Sequence, residues 1–119
     1  MAAPAHLLSQ AEAIPTAKLV DWGPVPQPVG EPVSHTSGIL LHRDENGDNE
    51  TGVWVCTPGR WRCEIERAEF CHFLSGHAVY ESDSGQRLEV RGGDAAFFPA
   101  GWTGLCEVHQ EVRKTYMIR

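Results

Sequence analysis

From Gly52 to the C-terminus, a turn signal interrupts the chain roughly every six to twelve residues. "VWVCT" runs into Pro58-Gly59, and "RWRCEIE" into a turn near Arg67-Ala68. "EFCHFLS" ends at Gly76, "HAVYES" at Asp83-Ser84-Gly85, and "QRLEVR" at Gly92-Gly93-Asp94. "AAFFP" closes on Pro99-Ala100-Gly101, and "GLCEVH" and "VRKTYMIR" finish the chain. None of these runs holds a 3.6-residue period, and each is short and punctuated by Gly, Pro, Asn or Asp. That pattern predicts an all-β sandwich or barrel. "SGILLH" (37–42) adds a strand upstream, followed by a polar loop at 43–52 around Asn46-Gly47.

Residues 1–36 read differently. They hold six of the eight prolines, and "GPVPQPVGEPV" is excluded from helices and from central strands. We expect a short helical turn at 6–13 and then an extended Pro-rich arm. The arm would lie over the surface; such arms pack on a partner subunit or remain a solvated tail. The predicted organisation is an arm over 1–36 and one β-barrel domain over 37–119. A chain of 119 residues builds one core.

The net charge of −6 argues against a nucleic-acid partner, which calls for a basic face. No apolar run reaches the roughly 18 residues of a membrane span. The start, "MAAPAHLLSQAEAIP", lacks the basic and apolar regions of a secretory signal. Cys56, Cys63, Cys71 and Cys106 show no CxxC spacing, so reduced thiols and a cytoplasmic location are expected.

Two segments carry a family resemblance. "GDAAFFPAGWTG" (93–104) has a glycine turn into a strand and a tight Pro99-Ala100-Gly101 turn out of it. "EFCHFLSG" (69–76) has an acid, an apolar strand and a closing glycine. Together they resemble the two motifs of the cupin superfamily. "GVWVCTPGRWR" and "VRKTY" make the chain similar to small single-domain cupins of the ureidoglycine aminohydrolase cupin-domain group. The resemblance spans about residues 50–119. It implies a double-stranded β-helix, or jelly roll, and a homodimer. It also implies a metal held by two histidines, a glutamate and a third histidine. The corresponding positions here are Cys63, Ile65, Glu69 and Gly104, and only Glu69 is a usual ligand of the set. A first-row metal wants three or four converging donors. No resident cofactor is therefore expected; the alternative is a divalent, soft-metal site built from Cys63, Glu69, Cys71 and Cys106.

Strand alternation sorts the interior. If Glu69 points inward, so do Cys71 and Phe73, while Phe70 and His72 point out. Cys63 and Ile65 face in, and Cys106 and Val108 follow position 104. Trp54 shares a face with Cys56, and Lys114 with Tyr116. A buried acid is costly unless paired or wet, which makes Glu69 the leading site residue. Lys114 is its candidate partner, against the alternative of a solvated lysine. Trp54 is either core or an aromatic wall, and Trp102 stands in a loop at the barrel mouth. Phe73 and Tyr116 complete the expected lining. Cys71 lies beside the acid, as a small buried residue or a nucleophile lacking a visible base. The histidines read as surface residues, Asp94 as a turn residue, and Arg113 as solvent-facing or at a subunit contact.

The leading functional expectation is a small polar metabolite bound in the barrel without the usual metal. Glu69 would anchor or deprotonate a polar group with Lys114 as countercharge. An aminohydrolase-type enzyme on ureido or other nitrogenous metabolites, working through Glu69 and Lys114, is implied by resemblance alone. A structural or regulatory subunit acting through the arm is the third expectation.

Overall fold

The computed structural model describes residues 3–119; residues 1–2 of the N-terminal segment lie outside them. Eight strands run β1 Val20–Pro24, β2 His35–Arg43, β3 Glu50–Cys56, β4 Gly59–Glu64, β5 Glu69–Ser82, β6 Arg87–Arg91, β7 Ala95–Phe98 and β8 Thr103–Ile118. All pair antiparallel. The fold is the expected cupin jelly roll. Among the described residues no helix is long and apolar enough to cross a membrane.

Two long strands organise the barrel. β5 and β8 pair along almost their whole length, from Glu69↔Ile118 to Ser82↔Gly104. Each was expected as two strands. They stay continuous because they bend instead of turning. At Gly76 the backbone takes φ +95° and the β5–β8 register shifts three times between Phe73 and Ala78. Glycine adopts that φ without steric cost, and successive bulges bend and twist the strand. An added Cβ there would also strike the backbone of Glu111 and Val112.

The bend divides the strands between two sheets. The first half of β5 lies between β7 and the second half of β8, which leads on through β3 and β2 to β1. The second half of β5 lies between β6 and the first half of β8, which leads on to β4. Core side chains fill the space between: Cys56, Trp61, Cys71, Phe73, Ala78, Tyr80, Phe98, Cys106, Val108 and Val112 are all buried. The alternation predicted from Glu69 holds, with Cys71 and Phe73 inside and Phe70 and His72 exposed.

The N-terminal segment lies over the surface, as expected of the arm, and also pairs with its own barrel. Short 3-10 turns stand at Ala11–Ala13 and Thr16–Lys18, and residues 20–24 pair with β2 as edge strand β1. The division drawn at residue 36 falls inside β2. Pro24 ends β1, a place that needs no ladder donor. Val25 and Ser34 are buried, and Pro28 bridges to Trp61. Arg113, expected in solvent or at a subunit contact, instead donates to the Ala11 and Ile14 carbonyls at 3.0 and 2.8 Å. The segment thus runs back over its own barrel, where His6, Leu8 and Ala11 lie beside Val53 and Thr115. Val53, on the opposite face of β3 from Trp54, is buried beneath this cover.

Candidate functional site

A cavity of about 300 Å³ opens between the sheets. That is the lower end of the range for small-molecule sites. β5 supplies Glu69, β8 supplies Lys114, Tyr116 and Ile118, and β3 supplies Glu50 and Trp54. From the facing sheet come Trp61, Cys63 and Tyr80, with Ile65, Phe98 and Trp22 completing the wall.

Glu69 and Lys114 meet. Lys114 Nζ donates to Glu69 Oε2 at 2.7 Å, with side chains only 12% and 8% exposed for acid and base. Their strands are adjacent, and Lys114 pairs across from Phe73, next on the same face of β5 after Cys71. The ammonium also lies 4.5 Å from the Trp54 ring centroid and 5.7 Å from that of Phe73. These aromatic faces recover part of the hydration it gives up. Burial opposes ionisation of Glu69, but Lys114 and a hydrogen bond from Cys71 outweigh it and hold the carboxyl below its ordinary value. Burial likewise works against the charge on Lys114, and Glu69 more than restores it, raising the ammonium above its ordinary value. At neutral pH the two form a closed ion pair.

Burial also disfavours the thiolate form of the cysteines near the pair. Cys71 is fully buried and its Sγ donates to Glu69 Oε2 at 3.0 Å. Burial pushes its thiol up to about 12, and that of Cys63 up to about 11. A nucleophilic Cys71 would need a depressed value.

A second carboxylate stands on the wall. Glu50 accepts from the Tyr116 hydroxyl at 2.7 Å and from Arg43 at 3.1 and 2.9 Å. Tyr116 is raised above its ordinary value by burial and by this bond. Trp54 and Trp61 lie 6.2 Å apart and tilted by 55°.

The sequence-predicted set divides. Glu69, Lys114, Trp54 and Tyr116 line the cavity. Cys71, Phe73 and Trp102 do not. Cys71 sits behind the acid and Phe73 is 1% exposed against Tyr80. Trp102, expected at the mouth, packs edge-on against Phe98 at 5.2 Å and Tyr80 at 6.3 Å. Residue 102 follows the Pro99-Ala100-Gly101 turn, whose backbone is hydrogen-bonded to Ile65, and its ring lies against Phe98 of β7. Sequence reasoning passed over Glu50, Trp61, Tyr80, Phe98, Ile118 and Trp22 as lining. Parity would have reached Glu50 from Trp54 and Ile118 from Tyr116. Trp22 had no such signal: its ring crosses over Gly38, where an added Cβ would collide with it.

The metal frame implied by the cupin resemblance does not fit these residues. Cys63 and Ile65 replace two histidines, and Glu69 already carries Lys114. Gly104 has no space for the third: an added Cβ would meet the Glu81 backbone carbonyl and the Trp102 ring. Among the described residues no group of three or more His, Cys, Asp or Glu is arranged to hold a metal ion, and this includes the Cys63, Glu69, Cys71 and Cys106 alternative. A buried ammonium stands beside the one retained acid.

Similarity to solved structures agrees with the fold. A protein of unknown function of the DUF861 family from Pseudomonas syringae pv. tomato superposes with a TM-score of 0.77 at 23% identity over 87% of this chain. This chain spans 45% of the length of that protein. A putative ethanolamine utilization protein Q from Salmonella typhimurium gives a TM-score of 0.62 at 18% identity, covering 71% of this chain and 68% of that one. The Clostridium difficile EutQ protein gives 0.63 at 16% identity, covering 77% and 75%. At these identities the likeness speaks for the fold alone. No curated protein matches the sequence. The EutQ-like cupin domain matches residues 43–116, which supports the cupin reading but not the narrower ureidoglycine aminohydrolase group. With well over half of its length matched, the chain belongs to the EutQ-like cupin domain family.

Proposed function

We propose that this cupin binds a small polar metabolite between its sheets, with the Glu69–Lys114 pair as polar anchor in place of a metal. One observation carries the reading: a closed ion pair of 2.7 Å lies at the wall of an otherwise aromatic and aliphatic cavity. Replacing a buried ion pair with apolar residues of similar volume is often neutral or stabilising. A pair kept at a cavity wall is therefore better explained by what it contacts there. Trp54, Trp61 and Ile65 supply apolar walls, and Tyr116 is held by Glu50.

Binding is favoured over aminohydrolase chemistry for a physical reason. A general base works best with a pKa near the operating pH. Glu69 is held below the ordinary carboxylate value and Lys114 above the ordinary lysine value, so neither is poised to exchange a proton at neutrality.

A metabolite screen by thermal shift, followed by calorimetry on the hits, tests the proposal. Glu69→Gln should weaken any hit by about tenfold or more, the scale of a lost charge-assisted hydrogen bond. A folded Glu69→Gln protein that binds the hit as well as wild type would sink the anchor role. Ammonia release from ureido compounds at a rate that needs Glu69 would move the enzyme reading ahead.

A further inference from the structure

We infer that the cavity selects an uncharged, flat ligand carrying an N–H donor next to a carbonyl acceptor, as in a lactam ring. This rests on the small-molecule reading above and narrows it to a chemical class.

Charge comes first. Three ionised side chains line the cavity: Glu50, Glu69 and Lys114. Each is already matched inside the protein. Glu69 and Lys114 neutralise each other, and Glu50 is held by Arg43 at 2.9 Å and by the Tyr116 hydroxyl at 2.7 Å. An entering cation or anion would lose its hydration and find no free countercharge. A neutral ligand avoids that cost.

Hydrogen-bonding capacity comes next. Both bonds to the Glu69 carboxylate, from Lys114 and from Cys71, fall on Oε2. Oε1 has no protein partner among the described residues, and it is not among the sealed polar atoms there. The ammonium has three N–H groups, and one is spent on Glu69. An acceptor and a donor therefore stand side by side on one wall. Their complement is a donor and an acceptor on neighbouring ligand atoms, which is the edge of a lactam. A sugar fits less well, because its further hydroxyls would be buried without partners.

Shape agrees. Nζ lies 4.5 Å from the Trp54 ring centroid, so an acceptor bound to the ammonium is brought alongside the indole. Trp61 and Ile65 on the same wall add apolar surface for a ring held there. About 300 Å³ has room for one or two fused rings.

The test uses the full chain at neutral pH and ring fragments of similar size, titrated by calorimetry and ligand-observed NMR. The fragments are 2-pyridone, N-methyl-2-pyridone, benzoate, benzylamine and methyl glucoside. We expect 2-pyridone to bind at least about tenfold more tightly than each of the others, the loss expected when a buried polar partner goes unmet. The N-methyl compound keeps the ring and carbonyl and lacks only the donor, so this comparison needs no variant that might misfold. Tighter binding of benzoate, benzylamine or the glucoside would overturn the inference and leave the small-molecule reading standing. Equal binding of the two pyridones would overturn the donor assignment and with it the inference. No binding by any fragment at millimolar concentration would overturn both.

Discussion

Two ion pairs of nearly equal length sit on opposite surfaces of this barrel. Inside, Lys114 meets Glu69 at 2.7 Å; outside, Arg62 grips Asp83 with two contacts of 2.6 and 2.5 Å. By distance and fork geometry the outer pair is the better one. By burial they are opposites: side chains 8% and 12% exposed inside, against 34% and 51% outside. The comparison teaches that surroundings, not length, set what an ion pair does. In water the outer pair exchanges one set of favourable contacts for another. In the cavity each partner is what makes the other's charge tolerable.

The largest expected effect comes from breaking the inner pair on one side. Lys114→Met leaves Glu69 buried beside Trp54 with no countercharge, and unfolding by urea at neutral pH should show a loss of about 3–5 kcal/mol. The pH dependence should change sign with it. In the wild type Glu69 is depressed, so its contribution is complete above its ordinary 4.5 and fades as pH falls through the lower folded value. Lys114 is raised, so its contribution is complete below its ordinary 10.5 and fades as pH climbs past the folded value. The pair thus stabilises fully between those limits. In the methionine variant the Lys114 charge is gone and burial, opposed only by the Cys71 hydrogen bond, raises Glu69, so acidification from about pH 7 to about pH 5 should recover stability. A variant as stable as wild type, or one that weakens on acidification, would refute the account.

Removing both charges should cost less than removing one. Glu69→Leu combined with Lys114→Met replaces the pair by apolar groups of similar volume, and we expect stability within about 1–2 kcal/mol of wild type. The same double variant should lose binding of any ligand found for the cavity. A double variant less stable than Lys114→Met alone would show that the pair is there for the fold.

The smallest effect belongs outside. Arg62→Ala should leave thermal and urea unfolding close to wild type and ligand affinity unchanged. A drop comparable to that of Lys114→Met would break the distinction between the two pairs.

Much of the inner arrangement was legible beforehand because side chains alternate along a strand wherever no bulge intervenes, as over Glu69–Phe73. Once Glu69 was placed inward, Cys71 and Phe73 followed; Lys114 and Tyr116 were placed only on a common face, and the structure turns that face to the cavity. Parity says which face a side chain occupies. It does not say whether that face is cavity or solid core, so Cys71 and Phe73 were expected on the lining and lie beneath it. Trp102 fails for another reason: it belongs to a loop, where no period applies, and contacts with Phe98 and Tyr80 decide its place.

The sequence by itself determined the all-β architecture and the shared face of Glu69, Cys71 and Phe73, while the cupin resemblance implied the jelly roll and marked Cys63, Ile65 and Gly104 as standing where its histidines would be. Each is local: turn residues, alternation and the identity of single positions. Tertiary structure alone decided that Glu69 meets Lys114 across 45 residues. It also decided that Trp22 reaches the cavity over Gly38, and that Arg113 ties residues 11 and 14 to the barrel. Those contacts depend on strand register and on the bend at Gly76, which are set by the whole sheet closing around its core.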